Sequence, residues 1–263
     1  MQLHPRNLDF RWRAAGGPYR ILTPEQAGQY DEFGYVRVAG AFSGEEVREV
    51  TAAIDPLEAR FTRMLKERFD GRHFIARADA ITFTIHLVTQ SPVLKRFSQH
   101  VVFQRLCHDT LGPPARLYWD QAVYKKPGNP EEFPWHQDNG YSYVEPQQYL
   151  TCWVALTDTD VDNGCPWVVP GVHRLGTLVH RRMALGLQCL SEPEGAVPVP
   201  AKAGDIVVFS SLTPHRTGPN LTDRVRKSYI LQYAPDGAAV YREGRDEPEL
   251  QNDPERQFLV VAG

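Results

Sequence analysis

The run RLYWDQAVYK, residues 116–125, is rich in aromatic and branched residues and contains no glycine or proline, which is typical of a β-strand. Shorter runs of the same kind follow, separated by Gly, Pro and Asp turns, at residues 150–156 (LTCWVAL), 167–169 (WVV), 206–209 (IVVF) and 227–233 (KSYILQY). Short strands with turn signals between them predict a β-sandwich or barrel.

Helical signals precede these strands. Thr23-Pro24 has the pattern of an N-cap followed by proline at the first helical position, and Gly34 predicts the end of that helix. Residues 35–38 (YVRV) predict a strand. The segment from Ser43 to Glu46 has capping-box spacing and predicts a longer helix, and residues 91–112 predict a third helical region, interrupted or continuous. We expect these helices to support one side of the strands.

The chain shows no internal repeat and no low-complexity linker, so residues 1–263 predict a single domain. Apolar residues make up 42% of the chain, enough for a sizeable core. We expect helical support mainly in residues 20–112 and the β core mainly in residues 35–40 and 114–235. Residues 236–263 predict a tail, whose segment 242–256 carries six acidic residues and is expected to be solvated.

Charge and composition exclude several classes of protein. The net charge of −3 argues against non-specific binding to nucleic acid, which needs a basic surface. No apolar run approaches the roughly 20 residues of a membrane span. The N-terminus lacks a secretion-signal profile, and the four cysteines have neither a C-x-x-C pair nor zinc-finger spacing. We therefore expect a cytoplasmic protein with reduced thiols. No oligomeric state follows from the sequence.

One short segment has the residue types of a metal site. His136 and Asp138 are two positions apart, so in an extended segment both point to the same side. His215, which follows the strand-like run 206–209, offers a third ligand. Two imidazoles and one carboxylate form the facial triad that leaves positions open on Fe(II). A surface turn capped by Asp138 and a purely structural His215 remain the alternatives.

A possible anion site follows His215. Arg224, Arg226 and Ser228 alternate in a strand-like run, so they share one face. If that face points inward, a guanidinium lies beside a hydroxyl and can bind a carboxylate through its planar fork. A solvated edge strand is the other interpretation, and it suits Arg224. For Arg226 we favour the carboxylate anchor.

Three blocks carry a family resemblance. WHQD at residues 135–138, NGCPWVVPGVHR at residues 163–174 and PHRTGPN at residues 214–220 resemble the phytanoyl-CoA dioxygenase (PhyH-like) family of Fe(II)/2-oxoglutarate-dependent oxygenases. The similarity runs in the same order over roughly residues 20–235. One departure is Val172, where the family commonly has serine; it affects a turn rather than a catalytic group.

The resemblance implies a fold and roles for individual residues. The fold would be mainly β with flanking helices, built on a double-stranded β-helix (jelly-roll, cupin-like) core. His136, Asp138 and His215 would be the iron ligands and catalytic residues. Residues implied to bind the co-substrate 2-oxoglutarate, or to lie beside it, are Arg226, Ser228, Trp153, Gln137 and Thr84. Gln137 lies between two of the ligands, so its alternative role is to support them from behind. His173 belongs to a turn that recurs in the family without binding iron, so we expect it to be structural.

The resemblance also implies an activity. With Fe(II), 2-oxoglutarate and O2, the enzyme would oxidise a small-molecule substrate, a secondary metabolite, an amino acid or an acyl derivative, and release succinate and CO2. Related halogenases have a small residue where this chain has Asp138, so hydroxylation or another oxidation such as desaturation is favoured over halogenation. The alternatives are a jelly-roll isomerase or hydrolase with another divalent metal, and a catalytically silent binding module. A hydrolase has no need for an anchored dicarboxylate, so Arg226 and Ser228 argue against it.

Overall fold

Capping residues set the ends of the first helices as the sequence predicted. The computed structural model describes residues 1–242, 244–245 and 247–263. Thr23 and Ser43 each complete a capping box, and Gly34 ends the first helix in the left-handed conformation. The region 91–112 is interrupted and forms two helices. The helices are α1 (Pro24–Phe33), α2 (Gly44–Phe69), α3 (Pro92–Ser98) and α4 (Val101–Thr110).

The five strand runs predicted after residue 114 are all present, and further short strands accompany them. In chain order the strands are β1 (Tyr35–Val38), β2 (Arg72–His73), β3 (Ala76–Arg77), β4 (Ile81–Ile85), β5 (Ala115–Lys125), β6 (Phe133–His136), β7 (Tyr143–Glu145), β8 (Leu150–Ala155), β9 (Pro166–Val168), β10 (Arg181–Arg182), β11 (Leu187–Gln188), β12 (Val197–Pro198), β13 (Ile206–Ser210), β14 (His215–Thr217), β15 (Arg226–Pro235), β16 (Ala239–Tyr241), β17 (Glu249–Leu250) and β18 (Leu259–Val261).

The strands form two principal antiparallel sheets that pack face to face. The large sheet has the order β1-β13-β8-β15-β5-β4-β3-β2, with β18 also paired to β5, and the small sheet has the order β12-β9-β14-β6. Apolar side chains of β8 and β13 pack against Val168 of the small sheet. We call the face of the large sheet that is directed at the small sheet the inner face. This arrangement confirms the predicted mainly β, jelly-roll fold.

Helices cover the other face of the large sheet, which we call the outer face. Residues of α1 to α4 share one apolar cluster with alternate residues of β5, β8, β13 and β15, for example Tyr124, Val154 and Tyr229. Because successive residues of a strand point to opposite faces, the residues between these ones belong to the inner face. The predicted helical support therefore lies on one side, and it leaves the inner face for the site.

The predicted C-terminal tail, residues 236–263, is partly built into the sheets, whereas the described residues of its segment 242–256 are mostly exposed, as expected. In residues 236–263 the strand β16 pairs with β7 and with β17, and β18 pairs with β5. Gln251 and Gln257 are buried and joined by a hydrogen bond. The strands β16 and β18 are thus part of the folded structure, because their apolar residues complete sheet edges. Glu243 and Asp246 of the acidic segment lie outside the described residues.

Over the described residues, no helix is long and apolar enough to cross a membrane. The four cysteines are free; Cys107, Cys152 and Cys165 are buried and Cys189 is partly exposed.

Candidate active site

Pairing within the small sheet brings three separated side chains together. His136 ends β6, Asp138 begins a 3-10 turn two residues later, and His215 begins β14. Antiparallel pairing of β14 with β6 places His215 directly opposite His136. The Nε2 atoms of His136 and His215 lie 3.9 Å and 3.8 Å from Asp138 Oδ1. One ligand atom from each residue lies within 4.8 Å of the others, a spacing that could hold a metal ion.

Backbone carbonyls orient both imidazole rings. Nδ1 of His136 donates to the carbonyl of Pro134 at 2.8 Å, and Nδ1 of His215 donates to that of Thr213 at 3.0 Å. The Nε2 atoms are therefore unprotonated and free to coordinate. Burial, reinforced by the neighbouring His215, lowers the pKa of His136 to about 3, and burial lowers that of His215 to about 4. Both rings are neutral near pH 7, as metal ligands must be.

The carboxylate of Asp138 has one oxygen held and one oxygen available. Its Oδ2 accepts a hydrogen bond of 2.6 Å from the hydroxyl of Thr151, whereas Oδ1 is the atom that lies near both imidazoles. Gln232 Nε2 in turn donates to Thr151 Oγ1 at 3.4 Å. Burial raises the pKa of Asp138, while His136 and the Thr151 hydroxyl act in the opposite direction. This arrangement favours coordination through a single oxygen.

The guanidinium of Arg226 is buried and lies on the inner face of the large sheet. Arg226 is only 1% exposed, and its Nη1 donates to Ser228 Oγ at 2.6 Å and to the carbonyl of Val123 at 3.2 Å. Its Cζ lies 5.3 Å from the centre of the Trp153 ring. Within the described part of the chain, Nε and Nη2 of Arg226 have no partner. A buried charge with unpaired donors is costly unless an anion pairs with it.

Lys125 is a second buried basic residue, and it was not among the residues predicted to bind the co-substrate. It is the cross-strand neighbour of Arg226 and is fully buried. Its ammonium donates to the carbonyl of Thr217 at 3.1 Å and, at shorter range, to that of Gly218. Burial and the charge of Arg226 hold the pKa of Lys125 well below its usual range. The unpaired nitrogens of the neighbouring Arg226 favour an anionic ligand there, and an anion would also favour the charged form of Lys125.

Thr151 and Gln232 were also missed, although the sequence contained a signal for both. Thr151 precedes Trp153 by two residues and Gln232 follows Ser228 by four, so each shares the face of a residue already singled out. Extending the alternation along β8 and β15 would have found them. Their contact with Asp138 could not be predicted, because it depends on how the two sheets pack.

The structure contradicts the co-substrate role of Thr84. Thr84 is paired with Ala122, a residue of the outer apolar cluster, and Thr82 on the same face donates to Glu58 of α2 at 2.7 Å. Thr84 therefore points toward the helices. The inner-face residue at this place is Phe83, whose ring lies 5.3 Å from that of Phe133 beside the triad. A shift of one residue along a strand reverses the face, which explains the error.

Of the two roles expected for Gln137, contact with the co-substrate or support of the metal ligands, the structure favours the second. Its side chain is fully buried; Nε2 donates to the carbonyls of Gly176 and Leu212, and Oε1 accepts from the amide of Leu178. All of these bonds go to the protein backbone. Gln137 thus braces the segment between the two candidate ligands, because extended neighbours point to opposite sides of a chain.

The remaining histidines near the site are structural, as expected for His173. His173 is fully buried, and its Nε2 donates to the carbonyl of Asp31 at 3.2 Å. His180 accepts the amide hydrogen of Gln137 on Nε2 at 2.9 Å and thereby supports the ligand segment. Neither residue joins the triad among the described residues.

The residues present fit a bound iron and a dicarboxylate. The triad supplies the two neutral nitrogens and one carboxylate oxygen that Fe(II) accepts while other positions stay open. On the inner face of the large sheet, the unpaired nitrogens of Arg226 supply a fork for a carboxylate. Fold and donor set together define the class of jelly-roll, non-haem iron oxygenases that depend on 2-oxoglutarate.

Comparison with known proteins gives the family. The model of the phytanoyl-CoA dioxygenase (PhyH) family matches residues 30–228, and the chain belongs to this family. A phytanoyl-CoA dioxygenase of Arabidopsis thaliana is 24% identical over 250 residues, which cover 80% of this chain and 88% of the relative. The ectoine dioxygenase of Bordetella bronchiseptica is 27% identical over 244 residues, which cover 81% and 75%.

A solved structure shows the same fold. The non-haem, α-ketoglutarate-dependent carbocyclase SnoK from nogalamycin biosynthesis superposes with a TM-score of 0.74 at 24% identity, over 94% of this chain and 100% of that one. The family and the jelly-roll fold that the sequence predicted are confirmed. So is the class of enzyme, a non-haem iron oxygenase that uses 2-oxoglutarate and O2.

Proposed function

We propose that this protein hydroxylates a small molecule, with Fe(II) bound by His136, Asp138 and His215. We propose further that Arg226 binds the distal carboxylate of 2-oxoglutarate, beside Ser228 and Trp153. The observation that carries the proposal is the unpaired, buried guanidinium of Arg226 on the same inner face as Thr151, the partner of Asp138. A metal site alone would not need this cation.

Each side chain has a task that follows from its contacts. His136 and His215 present neutral Nε2 atoms because carbonyls hold their Nδ1 protons. Asp138 presents Oδ1 because Thr151 occupies Oδ2. Bound Fe(II), 2-oxoglutarate and O2 supply the oxidising chemistry, and the protein supplies position and shielding. The low exposure of the triad would keep bulk water away from a bound metal.

The presence of Asp138 supports hydroxylation over halogenation, since a carboxylate occupies the position that related halogenases leave to a small residue. The relatives support a small molecule as the prime substrate, because one is named for phytanoyl-CoA and another for ectoine. A metal-dependent isomerase or hydrolase is the competing function. A hydrolase is disfavoured because hydrolysis has no use for the Arg226 anchor, and an isomerase that works without 2-oxoglutarate would leave the anchor equally unused.

The test is succinate release from 2-oxoglutarate under air, with added Fe(II) and a panel of amino acids, cyclic ketones and acyl derivatives. We expect succinate from the parent, with one class of compound stimulating it and gaining one oxygen atom. His136→Ala and Asp138→Ala should abolish release, whereas His73→Ala, which changes an exposed histidine of β2, should leave it unchanged. Undiminished release from Asp138→Ala would refute its role as a ligand.

A further inference from the structure

The inner face of the large sheet is closed at one end and open at the other. At the closed end Arg226 is 1% exposed and Val123 is 4% exposed. Along β4 the exposure of the inner-face residues rises from 1% at Ile81 through 7% at Phe83 to 40% at Ile85. An apolar side chain that points between two sheets and is still exposed marks an opening rather than an ordinary outer surface.

The residues at this open end form one continuous surface, which we call the wall patch: Ile85, Trp119, Gln121 and Ile230. Gln121 of β5 is paired with Ile85 on one side and with Ile230 on the other. Trp119 is paired with Gln232, which contacts Thr151, the partner of Asp138. Two strand spacings separate Trp119 from Thr151, about 10 Å, which is the length of one small molecule.

The side-chain amide of Gln121 gives the wall patch a hydrogen-bond donor. The contact with Trp119 determines which way this amide is turned. The indole Nε1–H of Trp119 lies 3.3 Å from Gln121 Oε1, and an indole nitrogen can only donate. The amide oxygen of Gln121 is therefore occupied, and its NH2 group faces the other way. The NH2 group of Gln121 has no hydrogen-bond partner among the residues that the structure describes. A ligand on this patch meets a donor between two isoleucines.

At the rim of the patch, the one charged side chain that contacts His86 among the described residues is balanced. His86 packs edge-on against Trp119 with ring centres 4.4 Å apart, and its Nε2 accepts a hydrogen bond from Arg256. Arg256 is paired with Asp253 at 3.0 Å, so its charge is balanced. Burial and the charge of Arg256 lower the pKa of His86, which leaves the ring neutral near pH 7. The buried cations Lys125 and Arg226 lie at the closed end of the sheet.

We propose that the wall patch is the subsite for the prime substrate and that it takes an uncharged, apolar ring or branched group carrying an oxygen acceptor. The apolar body lies on Ile85 and Trp119, and the ketone, amide or ether oxygen accepts a hydrogen bond from Gln121. This assignment rests on the proposed function, which it deepens by naming the chemical class of the substrate.

Three bicyclic probes test the proposal: indan-1-one, indane and indane-1-carboxylate. Their dissociation constants are measured by ligand-observed NMR on the full chain loaded with Zn(II) and 2-oxoglutarate, so that no turnover occurs. We expect indan-1-one to bind about three- to tenfold more tightly than indane, the value of one hydrogen bond, and more tightly than the carboxylate. Gln121→Leu should reduce the ratio between ketone and hydrocarbon to about one.

Two further variants keep the result interpretable. Ile85→Glu, on a partly exposed position, should weaken ketone and hydrocarbon alike, whereas Gln104→Leu on the exposed surface of α4 should change neither. Equal binding of ketone and hydrocarbon by the parent, tighter binding of the carboxylate, or a ratio that survives Gln121→Leu would each overturn the assignment. Succinate release tests the proposed function separately: its absence with the expected probe binding would refute the oxygenase but not the subsite.

Discussion

Replacing Thr151 with valine isolates the hydrogen bond that holds the second oxygen of Asp138. Valine has the shape and strand preference of threonine, so β8 should retain its conformation. Thr151 is 1% exposed, and the 2.6 Å bond from its hydroxyl to Asp138 Oδ2 is lost in the variant. The carboxylate can then rotate, and Oδ1 is no longer directed at the two imidazoles.

The size of the effect follows from the charge of the acceptor. A hydrogen bond to a charged group contributes about 1.5–3 kcal/mol, which corresponds to roughly a tenfold to 150-fold change in an equilibrium constant. Partners of metal ligands typically contribute about 10- to 100-fold in metal affinity. We therefore expect Thr151→Val to weaken Fe(II) binding by about 10- to 100-fold. Thr151→Ser, which keeps the hydroxyl, should weaken it by less than about threefold.

The assay is anaerobic competition for Fe(II) against a chromophoric chelator, without 2-oxoglutarate or substrate. Thermal unfolding of the metal-free proteins distinguishes a local effect from a loss of the fold, since both variants should unfold close to the parent. If the valine variant binds Fe(II) within about twofold of the parent, the hydroxyl does not position Asp138 and the reasoning fails.

Three further predictions concern other parts of the molecule. Arg226→Lys keeps a positive charge but loses the planar fork, so the KM for 2-oxoglutarate should rise at least about tenfold while Fe(II) affinity measured without 2-oxoglutarate stays unchanged; an unaltered KM would refute the anchor. Burial lowers the pKa of His173 to about 4, below its unfolded value of about 6.5, so the unfolded state takes up a proton first as the pH falls from 6.5 toward 4 and stability is lost in that window. Between pH 7.5 and pH 5.0 the unfolding free energy of His173→Gln, measured by urea titration, should therefore fall by about 2 kcal/mol less than that of the parent. Equal falls would contradict the lowered pKa of His173. Gly34 has a φ of 82°, and an added Cβ would lie 2.5 Å from both His173 Nδ1 and Thr213 Oγ1, so Gly34→Ala should lower the unfolding free energy by about 2 kcal/mol or more; a melting temperature equal to that of the parent would disprove this crowding.

Much of the local structure was predictable from the sequence because its causes are local. The capping boxes at Thr23 and Ser43 depend on residues three positions apart, and the strand runs 116–125 and 227–233 depend on side-chain type. The alternation of Arg226 and Ser228 correctly indicated a shared face. Both residues are buried, and a hydrogen bond joins them.

The C-terminal residues were harder to predict. The acidic segment 242–256 is mostly exposed, as its composition indicated, yet β18 beyond it pairs with the far end of β5. Composition reports the average preference of a segment for water, whereas pairing depends on whether a distant sheet edge is free. No local feature of a sequence shows whether that edge is free.

Residue types and spacing by themselves determined which chemistry this chain can support: two histidines and an aspartate for a metal, and an arginine for a carboxylate. Only the tertiary structure decided which face of each strand turns inward, and hence that Phe83 rather than Thr84 faces the site and that Thr151 and Lys125 belong to it. The physical reason is that the two-residue period of a strand divides its side chains into two sets without saying which set is buried between the sheets. That choice is made by the packing of segments far apart in the chain.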